Sequence, residues 1–220
     1  MRLGPLIATD LCFRRVGRAI LDHVSLIARP GQALGIIGPS GSGKSTLLAL
    51  LAGLDEPDSG SVHRDPPNAR IGLVLQSYGL ANLLTAAENV EIALQPQLAG
   101  GSLNSGELRR RAAAQLDAVG LGDVSDHLVE ELSGGQQQRV AIARALVIRP
   151  DILIADEFAA ELDRHAKQHA LNLILDQARN GSIVLLATHD PEIAGHCDHV
   201  LRLTDGRLHN EEIPLGRVAR

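Results

Sequence analysis

Tryptophan is absent from this sequence, tyrosine occurs once and phenylalanine twice, so few side chains are available to stack on a planar ligand. Cysteine occurs only at Cys12 and Cys197, far apart and with no secretory signal before them. That usage excludes a disulfide scaffold and points to a reduced, cytosolic chain. The run His196-Cys197-Asp198-His199 and the pair His165 and His169 lack a complete ligand-spacing pattern, so neither is read as a metal site. No apolar run approaches the roughly 18 residues that suggest a membrane-spanning helix. Basic charge is also short: the net charge is −5 and no basic stretch is interleaved with aromatics, which leaves no electrostatic footprint for nucleic acid. Arg109-Arg110-Arg111 reads as the solvated face of a helix.

What is present is sharper. Lysine occurs only at Lys44 and Lys167, and the first of these completes the string Gly38-Pro39-Ser40-Gly41-Ser42-Gly43-Lys44-Ser45-Thr46. Its spacing is that of a phosphate loop. The apolar run 33–37 before it reads as a buried strand, and 45–51 after it reads as a helix ending near Gly53. A strand-to-helix turn rich in glycine lets successive amide N–H groups and the helix N-terminus face phosphate oxygens. Gly38, Gly41 and Gly43 are therefore expected to supply positive φ and close backbone approach. Lys44 would reach the β- and γ-phosphates of ATP, and Ser45 would ligate Mg²⁺.

Two further strands end in chemistry. The apolar run 152–155 leads into Asp156 and Glu157, adjacent carboxylates whose side chains can take different tasks. Asp156 suits the Mg²⁺ shell and Glu157 suits general-base activation of water. The run 183–188 leads into His189, where a strand's carboxyl end opens onto a ligand crevice.

With Gln76 in the string LVLQ, the string LSGGQQQR at 132–139, then ILIADE and ATHD in order, the chain resembles ATP-binding cassette (ABC) ATPases over its whole length. LSGGQ is the specific part. The resemblance implies an α/β fold: a phosphate-loop NTPase (RecA-like) core, an antiparallel β flap and an inserted α-helical subdomain. Residues 1–220 would form a single nucleotide-binding domain, with the core at 1–75 and 140–220 and the helical subdomain at 76–139. It implies that Gln76 serves the Mg²⁺ site and couples it to a partner, and that His189 meets the γ-phosphate and the catalytic water. It also implies a head-to-tail dimer in which Ser133, Gly134, Gly135 and Gln136 touch the γ-phosphate held by the other copy. Residue types agree with that role: Ser133 can cap, the glycines expose amides, and 136–146 reads as a helix with its N-terminus toward an anion. Phe13 falls near the family's adenine-stacking aromatic, and Asp163 matches the loop along the dimer interface.

Two departures stand beside these matches: Phe158 follows Glu157 where proline is usual, and Glu161 stands where a small or amide residue is usual. Every charged catalytic group is still present, so hydrolysis is expected. With no spanning helix, a transport path would belong to separate membrane permease subunits that dock near 76–90, at the cytoplasmic face of the membrane. The wording of the motifs is most similar to the lipoprotein-release, macrolide-efflux and cell-division branch. The alternative is a soluble ABC ATPase of a protein-assembly machine of the iron–sulfur type. Within the helical region, 95–106 reads as a loop, a helix starts near Thr85, and Asn104 with Glu107 resembles a capping box opening a helix over 107–119. The stretch 56–70 suggests a trimmed flap, and the short tail after Arg207 suggests no added barrel.

Overall fold

The structure is a computed structural model in which residues 3–211 are described. The remainder of the tail after Arg207 lies outside the described residues. The chain divides into two compact units. The first takes residues up to Ala69, Ile154–Glu157 and residues from Leu175 onward; the second takes Arg70–Leu153 and Phe158–Ile174.

In the first unit, β1 (Leu6–Arg15), β2 (Arg18–Ala28) and β4 (Ser59–Arg64) form an antiparallel sheet in the order β2-β1-β4. Val16 and Gly17 join β1 to β2, both with positive φ (49° and 76°). Two left-handed residues twist a two-residue hairpin in the same sense as its strands. This sheet is an antiparallel flap as the fold class implies, but only β4 comes from the stretch 56–70 where it was expected; β1 and β2 supply the rest.

The remaining strands of that unit are β3 (Ala33–Ile37), β7 (Ile183–Ala187), β8 (His199–Thr204) and β9 (Arg207–Glu211). With β5 (Ile71–Val74) and β6 (Ile152–Asp156) they make a sheet ordered β5-β6-β7-β3-β8-β9, and β6 begins in the second unit and ends in the first. β3 runs parallel to both β7 and β8, while β9 returns antiparallel along β8. β6 and β7 are buried throughout, as continuous apolar runs in a parallel sheet should be. Helix α1 (Lys44–Ala52) follows β3 and ends at Gly53, whose φ of 73° is a left-handed cap. The expected α/β fold is present, with β3 at its expected bounds and β6 and β7 within one residue of theirs.

The second unit packs α2 (Ala86–Ile92), α4 (Ser105–Ala118) and α5 (Gly134–Val147) around Val90, Leu108, Ala112, Leu116, Val140 and Ile142, all buried. Thr85 caps α2 in a reciprocal box with Glu88, as the expected helix start requires. Two local expectations need correction. The stretch 95–106 is not wholly loop, because Gln95–Ala99 forms the short helix α3 with Pro96 in its first turn, where the missing N–H costs nothing. At α4, Asn104 accepts the Glu107 N–H at 2.9 Å, but the Glu107 carboxylate pairs with Arg110 and Arg111 instead of returning to Asn104. Two guanidiniums on the same helix face outbid one backbone donor, so only half of the box forms. Helix α6 (Arg164–Arg179) and the short α7 (Pro191–Ala194) complete the elements.

Candidate functional site

The loop between β3 and α1 is shaped by steric needs that differ from glycine to glycine. Gly41 and Gly43 have φ of 78° and 103°, as expected. Gly38 does not have positive φ; a Cβ there would lie 2.2 Å from the Leu203 carbonyl oxygen and 2.8 Å from Ser42 Oγ. Its requirement is close packing against β8, so the positive-φ expectation fails at this one position. Gly43 is the N-cap of α1, with no side-chain cap and no acidic residue in the first turn. The first amides of α1 therefore meet no capping side chain and no acidic residue of their own first turn.

Lys44 is buried with its charge turned back along the loop. Nζ donates to the Gly38 carbonyl at 2.8 Å and to the Pro39 carbonyl at 3.3 Å, and lies 4.0 Å from Glu157 Oε1. Glu157 follows β6 at a left-handed φ of 48°, and its N–H donates to the Ala187 carbonyl of β7 at 3.0 Å. Such a backbone angle is uncommon outside glycine and re-aims the side chain after the strand. The other Glu157 oxygen, Oε2, meets His189 Nδ1 at 2.9 Å. Lys44, Glu157 and His189 thus form one contiguous chain, with Glu157 14% exposed and His189 74% exposed. The preceding residue, Thr188, fixes this end of β7: its N–H donates to the Ile36 carbonyl, and its hydroxyl accepts the Asp190 N–H.

Asp156 ends β6 buried, and burial pushes its carboxyl pKa up, an effect opposed by a hydrogen bond from the Ser45 hydroxyl and by the Lys44 charge, and reinforced by Glu157. Asp156 Oδ1 has no hydrogen-bond partner, which is costly for a buried carboxylate oxygen. A serine hydroxyl beside an under-satisfied carboxylate is a hard oxygen set that fits Mg²⁺. Ser42 Oγ is also buried without a partner, inside the loop. Phe13 lies in β1 opposite Leu21 and is 9% exposed.

The remaining sequence candidates lie in the second unit. Gln76 is exposed in the turn after β5. Ser133 is the N-cap of α5: its Oγ accepts the Gln136 N–H at 3.3 Å, and Gln136 Oε1 accepts the Ser133 N–H at 2.9 Å. A Cβ on Gly135 would lie 2.9 Å from the Glu161 carbonyl oxygen, and one on Gly134 would lie 3.3 Å from Glu161 Oε2. Asp163 accepts the His165 and Ala166 N–H groups at 2.9 Å each, and these bonds hold its carboxyl below the usual range. Phe158 is fully buried and takes a core role.

Arg144 is a residue the motif reading missed. Its guanidinium donates to the Tyr78 carbonyl at 2.7 Å and to that of Gly79, and burial pushes its pKa down. Tyr78 and Gly79 are consecutive left-handed residues, φ 59° and 62°, two and three positions after Gln76. The available signal was one arginine inside the apolar stretch VAIARAL.

A glycine-capped helix after a central parallel strand, a lysine folded onto the loop, and two carboxylates at the next strand end define a phosphate-loop NTPase. Comparison with known proteins narrows this class. The profile described as ABC transporter matches residues 21–160. The YbbA ABC transporter ATP-binding protein of Escherichia coli K12 is 43% identical over 208 residues, covering 88% of this chain and 90% of YbbA. The lipoprotein-releasing system ATP-binding protein LolD 1 of Rhodopirellula baltica is 41% identical over 205 residues, covering 86% and 88%. Among solved structures, the dimeric bacterial ABC transporter cassette MJ0796 superposes with a TM-score of 0.87 at 34% identity, over 94% of this chain and 97% of that one. The chain belongs to the ABC transporter family and is an ATP-binding, ATP-hydrolysing cassette of the lipoprotein-release and macrolide-efflux branch. The assembly-ATPase alternative gains no support from these relatives.

Proposed function

We propose that this cassette hydrolyses ATP as a head-to-tail dimer on the cytoplasmic face of a membrane, driving separate permease subunits. The observation that carries the chemistry is the contiguous Lys44–Glu157–His189 chain beside the uncapped N-terminus of α1. In this reading the amides of residues 41–46 and Lys44 bind the phosphates of ATP, while Ser40, Ser42 and Thr46 shape the loop around them. Ser45 and Asp156 would hold Mg²⁺, which would neutralise charge on the phosphates.

Glu157 Oε1 and Oε2 already meet a cation and an imidazole, so the carboxylate is held in one orientation. It would accept the proton of the attacking water, and His189 would fix that carboxylate and meet the γ-phosphate oxygen. Phe13 would present its ring to the adenine. The second copy would offer the Gly134 and Gly135 amides, together with Ser133 and Gln136, to the γ-phosphate. Asp163 would order the adjoining loop through its cap on α6.

Relatives support the assembly. MJ0796 is described as a dimeric cassette, and a second structure of it as a post-hydrolysis dimer bound to ADP and phosphate. Among the described residues no helix is long and apolar enough to cross a membrane, so permease contact falls to a surface. Residues 76–90 supply one: Leu83 is 80% exposed. Asn89, buried, ties Ala81, Leu84 and Thr85 into a fixed loop below it. For Gln76 the reading remains that of the family resemblance, a coupling residue at the head of this surface.

Glu157→Gln tests the chemistry. Steady-state hydrolysis should fall by about 10²-fold or more, while MgATP is still bound and converts monomer to dimer in size exclusion. Wild-type turnover in an ATP-binding variant overturns the base assignment. Affinity capture of that variant from native membranes should recover a polytopic chain in fixed stoichiometry; soluble partners alone would overturn the permease reading.

A further inference from the structure

Away from the phosphate loop, the irregular part of the flap gathers three unlike ligand atoms. Cys12 Sγ, a carboxylate oxygen of Asp22 and an imidazole nitrogen of His23 lie within 4.8 Å of one another, a grouping found nowhere else among the described residues. All three belong to the first unit. In regular strands Asp22 and His23, being adjacent, would point to opposite faces. Here β1 and β2 shift register between Ala8 and Leu11 and again between Leu11 and Phe13. Asp10 and His23 both take a left-handed φ of 54° at this irregularity. Non-glycine residues adopt that region rarely, and such local strain concentrates where side chains are re-aimed for a purpose.

Each of the three groups also has an outer partner, and at His23 and Asp22 that partner occupies the other polar atom and leaves one to bind. Cys12 Sγ accepts the His23 backbone N–H at 3.4 Å. His23 Nδ1 pairs with Asp10 Oδ1 at 2.7 Å, which leaves Nε2 facing Asp22 Oδ1 at 3.8 Å. Asp22 Oδ2 takes both Nε and Nη2 of Arg207, at 2.8 and 2.6 Å, so Oδ1 remains. Histidine ligands of metals nearly always give their other ring nitrogen to a carboxylate or carbonyl, and ligating carboxylates are themselves hydrogen-bonded. The flap has this supporting layer complete.

We infer that Cys12 Sγ, His23 Nε2 and Asp22 Oδ1 form a binding site for a borderline divalent cation, Zn²⁺ in the first instance, with water in the fourth position. Sulfur, imidazole nitrogen and one carboxylate oxygen suit Zn²⁺, whereas Mg²⁺ and Ca²⁺ want oxygen throughout. Closing around the ion needs the three atoms to approach by about 1 Å, to the spacing set by bonds of roughly 2.0–2.3 Å. Side-chain rotation can supply that, because His23 is 65% and Asp22 38% exposed. The ion would cross-link β1 to β2 immediately beside Phe13. It is separate from the Mg²⁺ set at Ser45 and Asp156, and the inference stands whether or not the proposed hydrolytic roles are correct.

Isothermal titration of the nucleotide-free full chain with Zn²⁺, in excess Mg²⁺, tests it. One saturable site per chain is expected. Cys12→Ser or His23→Ala should weaken it by at least about tenfold, and Asp10→Asn by about 10–100-fold, the usual cost of losing an outer partner. Cys197→Ser should leave it unchanged, since that thiol is buried at the other end of the same unit's sequence. Co²⁺ in place of Zn²⁺ should show a thiolate charge-transfer band that Cys12→Ser removes. If the variants fold poorly, the wild-type chain still decides: Zn²⁺ should protect Cys12 from alkylation, as located by peptide mass. Absence of saturable binding, binding indifferent to Cys12→Ser, or no protection of Cys12 overturns the site.

Discussion

Two helix N-termini in this protein are finished in opposite ways. Helix α1 begins at a glycine that offers no side chain, with no acidic residue in its first turn. Helix α5 begins at Ser133, closed by a reciprocal capping box with Gln136. The first has no side-chain cap for its amides, which suits the anion-binding role proposed for it. The second secures its own first turn and has only the amides of Gly134 and Gly135 to spare. An end proposed to bind phosphate is left open, while the other is capped from within. Lys44 adds a second positive group at the open end, its ammonium held on the loop's own carbonyls.

The contrast can be broken at the open end with the largest effect. Lys44→Ala removes the loop's internal tether and its charge, and ATP hydrolysis should fall by about 10²-fold or more, with nucleotide affinity lost alongside. Fluorescent-nucleotide binding measured beside turnover checks this; retained affinity with lost turnover would place Lys44 in the chemical step alone.

A smaller effect separates the units by pH. Burial pushes the Cys197 thiol up to about 12, and the nearby Asp198 charge adds to that shift. This thiol lies under β3, 3.1 Å from where a Cβ on Gly35 would be. Because the folded pKa is raised, its contribution is fully present below the unfolded value of 9.0 and is lost as pH rises toward 12. Denaturant titrations from pH 8 upward should show the first unit losing on the order of a few kcal/mol that Cys197→Ala does not lose. Equal slopes in both proteins would refute the linkage.

The smallest effect belongs to the closed end. Ser133→Ala leaves Gln136 without its reciprocal partner and should cost about 1 kcal/mol of stability, seen as a modest drop in thermal midpoint in the absence of nucleotide. Removal of a cap that mattered only to ligand would leave that midpoint unchanged.

The strand, loop and carboxylate order was legible because each depends on local pattern. Buried parallel strands are written as unbroken apolar runs: 33–37 coincides with β3, and 183–188 overruns β7 by one residue. The helix start at Thr85 and the cap at Ser133 were legible for the same reason, although the reciprocal partners Glu88 and Gln136 that close both caps emerged only in the structure. Where a distant or competing partner decided the outcome, the local pattern misled. Asn104 and Glu107 have the letters of a box, but Arg110 and Arg111 draw the carboxylate away. Gly38 has the letter of a flexible turn, but its need is the Leu203 carbonyl from 165 residues later in the chain.

By itself the sequence determined the class of protein, the strand-to-helix phosphate loop and the identity of the charged groups, because motif spacing and apolar periodicity are properties of adjacent residues. Only the tertiary structure decided that Glu157 is held between Lys44 and His189, that Arg144 grips the Tyr78 and Gly79 carbonyls, and that Cys12, Asp22 and His23 converge. Those meetings follow from strand order, register shifts and left-handed backbone turns, which bring together groups that the linear chain keeps apart.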